Sequence, residues 1–295
     1  MWFFKKKDKN NSSASKHFSR GNAYTSKKEY DRAIECYNRT IAIVPYYANA
    51  YNNRGLAYAG IKQDDLAIED FDRAIALDPN DSHFYNNRGV SFKNKRQYDL
   101  AIEDYSRAIA ININDSYAYN NRGVVFRKKG QCDKAIEDYN RAIVIDPYYS
   151  NAYFNRGNAY DEKGQYDLAI QDYSLVIAID PNHFGAYNDR GLDYANKKQY
   201  DYAIEDYSRA IAIDSKAVHV YINRGNSFVA KGQYDRAIKD FNLAIAIDPH
   251  FAVTYFFRGY AYLMKGEKTR AMNSFKKARD LGHPDAQRMI DEHCK

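Results

Sequence analysis

The sequence predicts an all-α fold in which pairs of antiparallel helices stack in series. The first observation is an internal repeat of 34 residues, marked by an Arg-Gly pair that returns eight times in unchanged register. The second is that position eight of each repeat is glycine and position eleven is aromatic, while position four is tyrosine in all repeats but the first. Residues three, four and seven apart line one side of a helix. The glycines are Gly21, Gly55, Gly89, Gly123, Gly157, Gly191, Gly225 and Gly259.

Each repeat is predicted to hold one helix over its first fourteen residues and a second over the next fourteen, where alanine at position twenty and an aromatic residue at position twenty-four form another stripe. Lys163–Tyr166 illustrates the turn between them. Asp167 and its counterparts Asp99, Asp133 and Asp235 then lie near the start of the second helix, where a carboxylate can cap free amides. Asp180-Pro181 is expected to end that helix, because a residue before proline avoids helical geometry.

This pattern resembles the tetratricopeptide repeat (TPR), whose signature has an aromatic residue, glycine, tyrosine, alanine, phenylalanine and proline at these offsets. The resemblance covers about residues 14–284. Local departures include arginine before every glycine, where leucine is usual. The resemblance implies a right-handed α-α superhelix, or solenoid, of antiparallel helix pairs. The predicted repeats are 14–47, 48–81, 82–115, 116–149, 150–183, 184–217, 218–251 and 252–284, with a tail at 1–13 and a capping helix at 285–295.

The two ends of the chain differ from the repeats. Residues 1–13 contain Trp2, Phe3 and Phe4 followed by lysines, and we expect a disordered tail. The alternative is a membrane-surface adaptor in which residues 1–9 dock on anionic lipid, each lysine contributing about 1 kcal/mol near the surface. At the other end, an apolar stripe made by Ala286, Met289 and Ile290 predicts the capping helix.

Charge argues against a nucleic-acid partner. The chain of 295 residues carries +6, but residues 1–30 hold +6 and residues 261–295 hold +3, so the body carries about −3. A nucleic-acid binder needs cations along the surface that follows the phosphates. An RNA-binding helical repeat is therefore the least favoured hypothesis.

The sequence predicts no enzyme. It contains no catalytic or phosphate-binding motif of the common kinds, and its seven histidines are scattered. We therefore expect no catalytic residue, cofactor or metal. Three cysteines without a C-x-x-C pair, and the lack of a long apolar segment, favour a cytoplasmic scaffold or adaptor for protein–protein interaction, or one peripheral at the inner membrane surface. We expect a monomer, with self-association as the alternative.

The candidate binding residues are asparagines at position six. Asparagine is a mediocre helix former, so its recurrence is hard to explain by stability. The resemblance implies that first helices line a concave wall, where a carboxamide can donate to and accept from a peptide main chain. The column is similar to the asparagine ladder of O-linked N-acetylglucosamine transferases. The alternative is that these amides bond neighbouring helices or water. The predicted ladder is Asn53, Asn87, Asn121, Asn155, Asp189 and Asn223.

Residues beside the ladder are predicted to select the partner, because they change from basic to acidic to apolar along the chain. The alternative is drift on a solvated face, with an apolar end covered by the capping helix. Position five lacks the lysine of the chaperone-tail clamp known in this family. The predicted groove residues are Lys93, Arg127, Lys128, Asp161, Glu162, Ile222, Val229, Phe256 and Tyr260, with Asp193 as a further candidate.

The arginine before each glycine could mark a polyanion site. We instead expect its stem to be buried and its guanidinium to pair with second-helix carboxylates such as Asp104, Asp138 and Asp172.

Overall fold

The computed structural model describes residues 2–293, and describes the side chains of residues 12–293. This part of the chain contains seventeen helices and no strand. The all-α prediction is confirmed. The helices are α1 Trp2–Ser26, α2 Tyr30–Ile43, α3 Ala48–Gly60, α4 Asp64–Leu77, α5 Ser82–Asn94, α6 Tyr98–Ile111, α7 Ser116–Lys128, α8 Cys132–Ile145, α9 Ser150–Glu162, α10 Tyr166–Ile179, α11 Phe184–Asn196, α12 Tyr200–Ile213, α13 Val218–Ala230, α14 Tyr234–Ile247, α15 Ala252–Met264, α16 Lys268–Asp280 and α17 Ala286–His293.

The chain forms two compact units, Met1–Ala152 and Tyr153–Lys295. Within each unit the two helices of a repeat pack on each other, and the second helix also packs on the first helix of the following repeat. From α3 onward, the first helix of each predicted repeat begins at that repeat's first residue. The core therefore runs as a row of small clusters, each made by residues from neighbouring helices.

A glycine lets the two helices of each repeat approach closely. A Cβ atom added at Gly89 would lie 2.8 Å from Cε1 of Tyr105, which is fully buried on the second helix. Ala101, one turn earlier on that helix, is also fully buried. The glycine, alanine and aromatic positions of the repeat thus encode one helix–helix contact.

Buried ion pairs connect the helices, as predicted for the arginine column. Arg122 donates from Nε and Nη2 to both oxygens of Asp138, each at 2.8 Å, and from Nη1 to Ser106 Oγ of the preceding repeat at 3.0 Å. The same bidentate pair joins Arg54 to Asp70, Arg88 to Asp104, Arg156 to Asp172, Arg190 to Asp206 and Arg224 to Asp240. These arginines therefore stabilise the fold.

The last repeat lacks this carboxylate. Arg258 donates to Ser274 Oγ at 3.2 Å and to Asn242 Oδ1 at 2.8 Å, because serine occupies the position of the aspartate. Burial without a carboxylate lowers the pKa of Arg258.

The predicted capping role of the second-helix aspartates is wrong. The residues at the N-cap are Gln97, Gln165 and Gln233, whose side chains make no capping bond. Asp99, Asp167 and Asp235 lie inside the first turn and pair with a lysine of the next repeat, as Asp235 does with Lys265 at 2.6 Å. Their position still suits the helix dipole. Helix ends follow the prediction, since Asp180 before Pro181 is extended and donates its N–H to Val176.

The chain ends extend the repeats. Helix α1 begins at Trp2, so the helix continues into residues that the sequence analysis assigns to a disordered tail. No proline interrupts this segment, and a helix that has been nucleated can propagate through it. Helix α17 covers the last repeat, because Ala286 and Ile290 are buried against residues of α15 and α16.

Candidate functional site

The predicted asparagine ladder lies on one side of the first helices, here called the first-helix face and defined by positions five, six, nine, twelve and thirteen of each repeat. In the unit Met1–Ala152, amides at positions five and six bond across repeats. Asn87 Nδ2 donates to Asn52 Oδ1 at 2.8 Å, and Asn121 Nδ2 donates to Asn86 Oδ1 at 3.0 Å. Asn53 Nδ2 donates to Asn22 Oδ1 at 2.9 Å. These asparagines therefore join neighbouring helices, which was the alternative to a peptide-binding role.

The inter-repeat bonds leave hydrogen-bonding capacity on the amides. A carboxamide has two N–H groups and an oxygen with two lone pairs. Among the described residues, Asn87 and Asn121 each use one N–H in the inter-repeat bond, and both side chains are partly exposed. The same amide can thus join two repeats and offer a donor and an acceptor at the surface.

The first-helix face of Met1–Ala152 is basic beside these amides. Lys93 is half-buried and Lys128 is exposed. Burial, and then the charge of Lys128, lower the pKa of Lys93. Arg127, at the same repeat position as Lys93, is half-buried. This arrangement favours binding of an anion, because a carboxylate would relieve repulsion between the cations.

The corresponding face of Tyr153–Lys295 is acidic. Asp161 and Asp189 are half-buried, Glu162 is exposed, and Asp189 Oδ1 accepts from Asn188 Nδ2 at 2.8 Å. Asp193 is fully buried. Burial, the facing carboxyl of Asp161 and the charge of Asp189 raise the pKa of Asp193 to about 8. Burial also raises the pKa of Asp189. The remaining ladder residues of this unit, Asn155 and Asn223, are partly exposed.

Most of the apolar groove residues belong to the core. Ile222 is only 5% exposed and packs with Phe228 and Phe241, and Val229 packs against the same cluster. Phe256 stacks on His283, with ring centroids 4.0 Å apart. The segment before α17 therefore covers part of Phe256, as the alternative anticipated, whereas Tyr260 is 38% exposed.

Sequence reasoning missed the inter-repeat bonds at position five, and it placed Asp193 at position ten among the groove residues although that side chain is buried. Asn52 and Asn86 at position five accept the inter-repeat bonds, and their recurrence one residue before the ladder was a usable signal. Asp193 occupies position ten, where the other repeats have alanine, serine or valine. A single charged residue at a position that is otherwise small was the signal for a buried carboxylate.

Other kinds of site are not evident in the described part of the chain. Residues 12–293 contain no group of three His, Cys, Asp or Glu side chains arranged to hold a metal. None of the helices described is long and apolar enough to span a membrane. The membrane-docking prediction for Trp2, Phe3, Phe4 and the neighbouring lysines concerns side chains outside the described residues.

Family models match most of the chain. A model described as TPR repeat matches residues 21–61, 125–164 and 225–266, and one described as Tetratricopeptide repeat matches residues 48–81, 84–115 and 150–183. Among curated proteins, no significant sequence match was found.

Solved structures share the fold. MamA is 28% identical, over 56% of this chain and 96% of its own, with a TM-score of 0.53. YrrB, a TPR protein with an unusual peptide-binding site, is 21% identical over 64% of this chain and 99% of its own, with a TM-score of 0.58. A tetratricopeptide repeat protein from Parabacteroides merdae is 21% identical over 84% of this chain and 97% of its own, with a TM-score of 0.59.

Proposed function

The chain belongs to the tetratricopeptide repeat family, and we propose that it is a non-catalytic scaffold that holds an extended peptide or a partner helix on its first-helix face. The family supports a role in protein interaction in general. The finer proposal concerns which surface binds and through which groups.

The observation that carries the proposal is the row of amides on Met1–Ala152. Asn87 and Asn121 are held in place by inter-repeat bonds of 2.8 and 3.0 Å, so little side-chain entropy remains to be lost on binding. Each keeps an oxygen and one N–H without a described protein partner. A main-chain peptide group needs one donor and one acceptor, which makes a fixed carboxamide a suitable partner whatever the peptide's side chains.

Charged groups beside the amides supply selectivity. Lys93 and Lys128 favour a partner with acidic residues where it crosses Met1–Ala152. The fold shared with YrrB, whose structure is described as having a peptide-binding site, supports the proposal through the fold alone. Cys36 and Cys132, the two cysteines that the structure describes, form no disulfide, which is compatible with the proposed cytoplasmic location.

The test begins with binders selected from a phage-displayed library of random dodecapeptides on the intact chain. We expect the double variant Asn87→Ala with Asn121→Ala to bind the selected, fluorescein-labelled peptides about tenfold more weakly, because two hydrogen bonds of about 0.5–1.5 kcal/mol each are lost. Fluorescence anisotropy measures the affinity.

Two controls separate binding from folding. Asn273→Ala changes an exposed asparagine on the second helix α16 and should leave affinity unchanged. Far-UV circular dichroism should show equal helicity in all variants. Unaltered peptide affinity in the folded double variant would rule out the amide row as the binding surface.

A further inference from the structure

We infer that Asp161, Asp189 and Asp193 form a seat for one basic side chain, a lysine or an arginine, of the bound peptide. This inference rests on the proposed function, because it names the partner chemistry for the acidic part of the first-helix face.

Asp193 is the reason to look for a ligand. The other repeats place small or apolar residues at its position, including Ala57, Ser91, Val125 and Ser227, all of them buried. Asp193 is likewise 0% exposed, yet neither of its carboxyl oxygens has a hydrogen-bond donor. A buried carboxylate without a donor is costly, so packing and stability do not account for it.

The groups around Asp193 are also acceptors. Its carboxyl faces that of Asp161 on α9, and the charge of Asp189 acts on it from the same helix, α11. Asn188 donates its amide to Asp189, so it supplies one donor to this group of carboxylates. The two buried oxygens of Asp193 are thus left without an N–H or hydroxyl donor from the described residues.

Neither Arg190 of α11 nor Lys197, the first residue after it, fills this need. Arg190 is paired with Asp206, and Lys197 with Asp167. An ammonium group brings three donors and a guanidinium five, together with the positive charge that the carboxylates require. Asp161 and Asp189 are partly exposed, so a side chain arriving from solvent meets them first, with Asp193 behind them.

Binding at this seat is coupled to a proton. With the seat empty, Asp193 keeps a proton up to a pH of about 8 and can share it with Asp161. A cation favours the ionised form, so its arrival releases that proton to solvent. His183 and His219 lie near Asp189, and Tyr207 of α12 faces the same carboxylates as a neutral phenol. Affinity therefore rises between pH 6 and pH 8.

The test compares two fluorescein-labelled pools of dodecapeptides, built from uncharged residues and differing only in a central lysine or norleucine. At pH 8 we expect the intact protein to bind the lysine pool about tenfold more tightly, and Asp161→Asn with Asp189→Asn to bind both pools equally. Equal binding of both pools by the unmodified chain would overturn this inference while leaving the scaffold role intact. Binding of neither pool would count against the scaffold role, and against this inference with it.

The proton provides a second readout. For the lysine pool, affinity of the unmodified chain should increase between pH 6 and pH 8. In Asp193→Asn, an isosteric change whose amide can donate to Asp161, most of this increase should be lost. Calorimetry in two buffers of different ionisation enthalpy should show proton release only with Asp193 present. Loss of the lysine preference in 1 mM CaCl2 but not in matched NaCl would identify a divalent-cation site instead and overturn the inference.

Discussion

In the unit Met1–Ala152 the first helices present amides beside Lys93 and Lys128, whereas in Tyr153–Lys295 the first helices α9 and α11 present the carboxylates of Asp161, Glu162 and Asp189. The backbone under both faces has the same design, with first helices of thirteen residues after α1 and the same Arg–Asp pair in each unit. Position ten shows the contrast best, because Ser91 in one unit corresponds to Asp193 in the other. Within a repeat, the residues that stabilise the helix pair are thus different from the residues whose charge and polarity vary between repeats.

The largest change in stability is expected when the Arg–Asp pair, which both units contain, is broken. Asp138→Ala in one unit and Asp206→Ala in the other each leave a partly buried guanidinium with only a serine hydroxyl as partner, so both should lower the free energy of unfolding by about 2–4 kcal/mol. Urea unfolding followed by circular dichroism measures the loss. The exposed Glu103→Ala should change it by less than about 0.5 kcal/mol. A loss in only one unit would show that the pairs are not equivalent.

A second experiment concerns the position where the units differ. Asp193→Ser places at position ten the serine that Ser91 provides in the other unit. This change should raise the free energy of unfolding at pH 8 by about 1–3 kcal/mol, with little gain at pH 4. The folded pKa of about 8 exceeds the unfolded value of about 3.9. The group therefore stabilises the fold fully below the unfolded pKa and loses this contribution as pH rises through the folded one. Melting temperatures from pH 4 to pH 8 measure the effect, and parallel curves for both proteins would contradict it.

The smallest change in stability is expected at the turn between paired helices, which both units contain. Arg96 and Lys198 occupy the turn between paired helices with φ of 59°, where Gly130 and Gly232 stand in other repeats. Arg96→Gly and Lys198→Gly should each stabilise by about 0.5–1 kcal/mol, because glycine adopts this conformation without a steric cost. The reverse change, Gly232→Lys, should destabilise by a similar amount. Thermal unfolding measures the stability of all three variants. A lower stability on introducing glycine would show that the added entropy of the unfolded chain outweighs the relief of steric strain in the folded one.

Much of the fold could be predicted from residues that repeat. Gly89, Ala101 and Tyr105 return in every repeat in the same or a similar form, so their spacing gave the helices and their pairing. The arginine column was predicted correctly because a charged residue in register with buried positions needs a fixed counter-charge. The capping prediction failed at Asp235, since a lysine one repeat away competes for the same carboxylate, and that distance is not visible in a local pattern.

The sequence by itself determined the helix pairs, their order and the chemistry available on each first helix, because these depend on spacing along the chain. Only the tertiary structure decided that Asn87 is bonded to Asn52, that Ile222 is part of the core, and that Asp193 is buried facing Asp161. The physical reason is that these hydrogen bonds and buried contacts join residues more than thirty positions apart. The energies of hydrogen bonding and of burial depend on distances that only folding establishes.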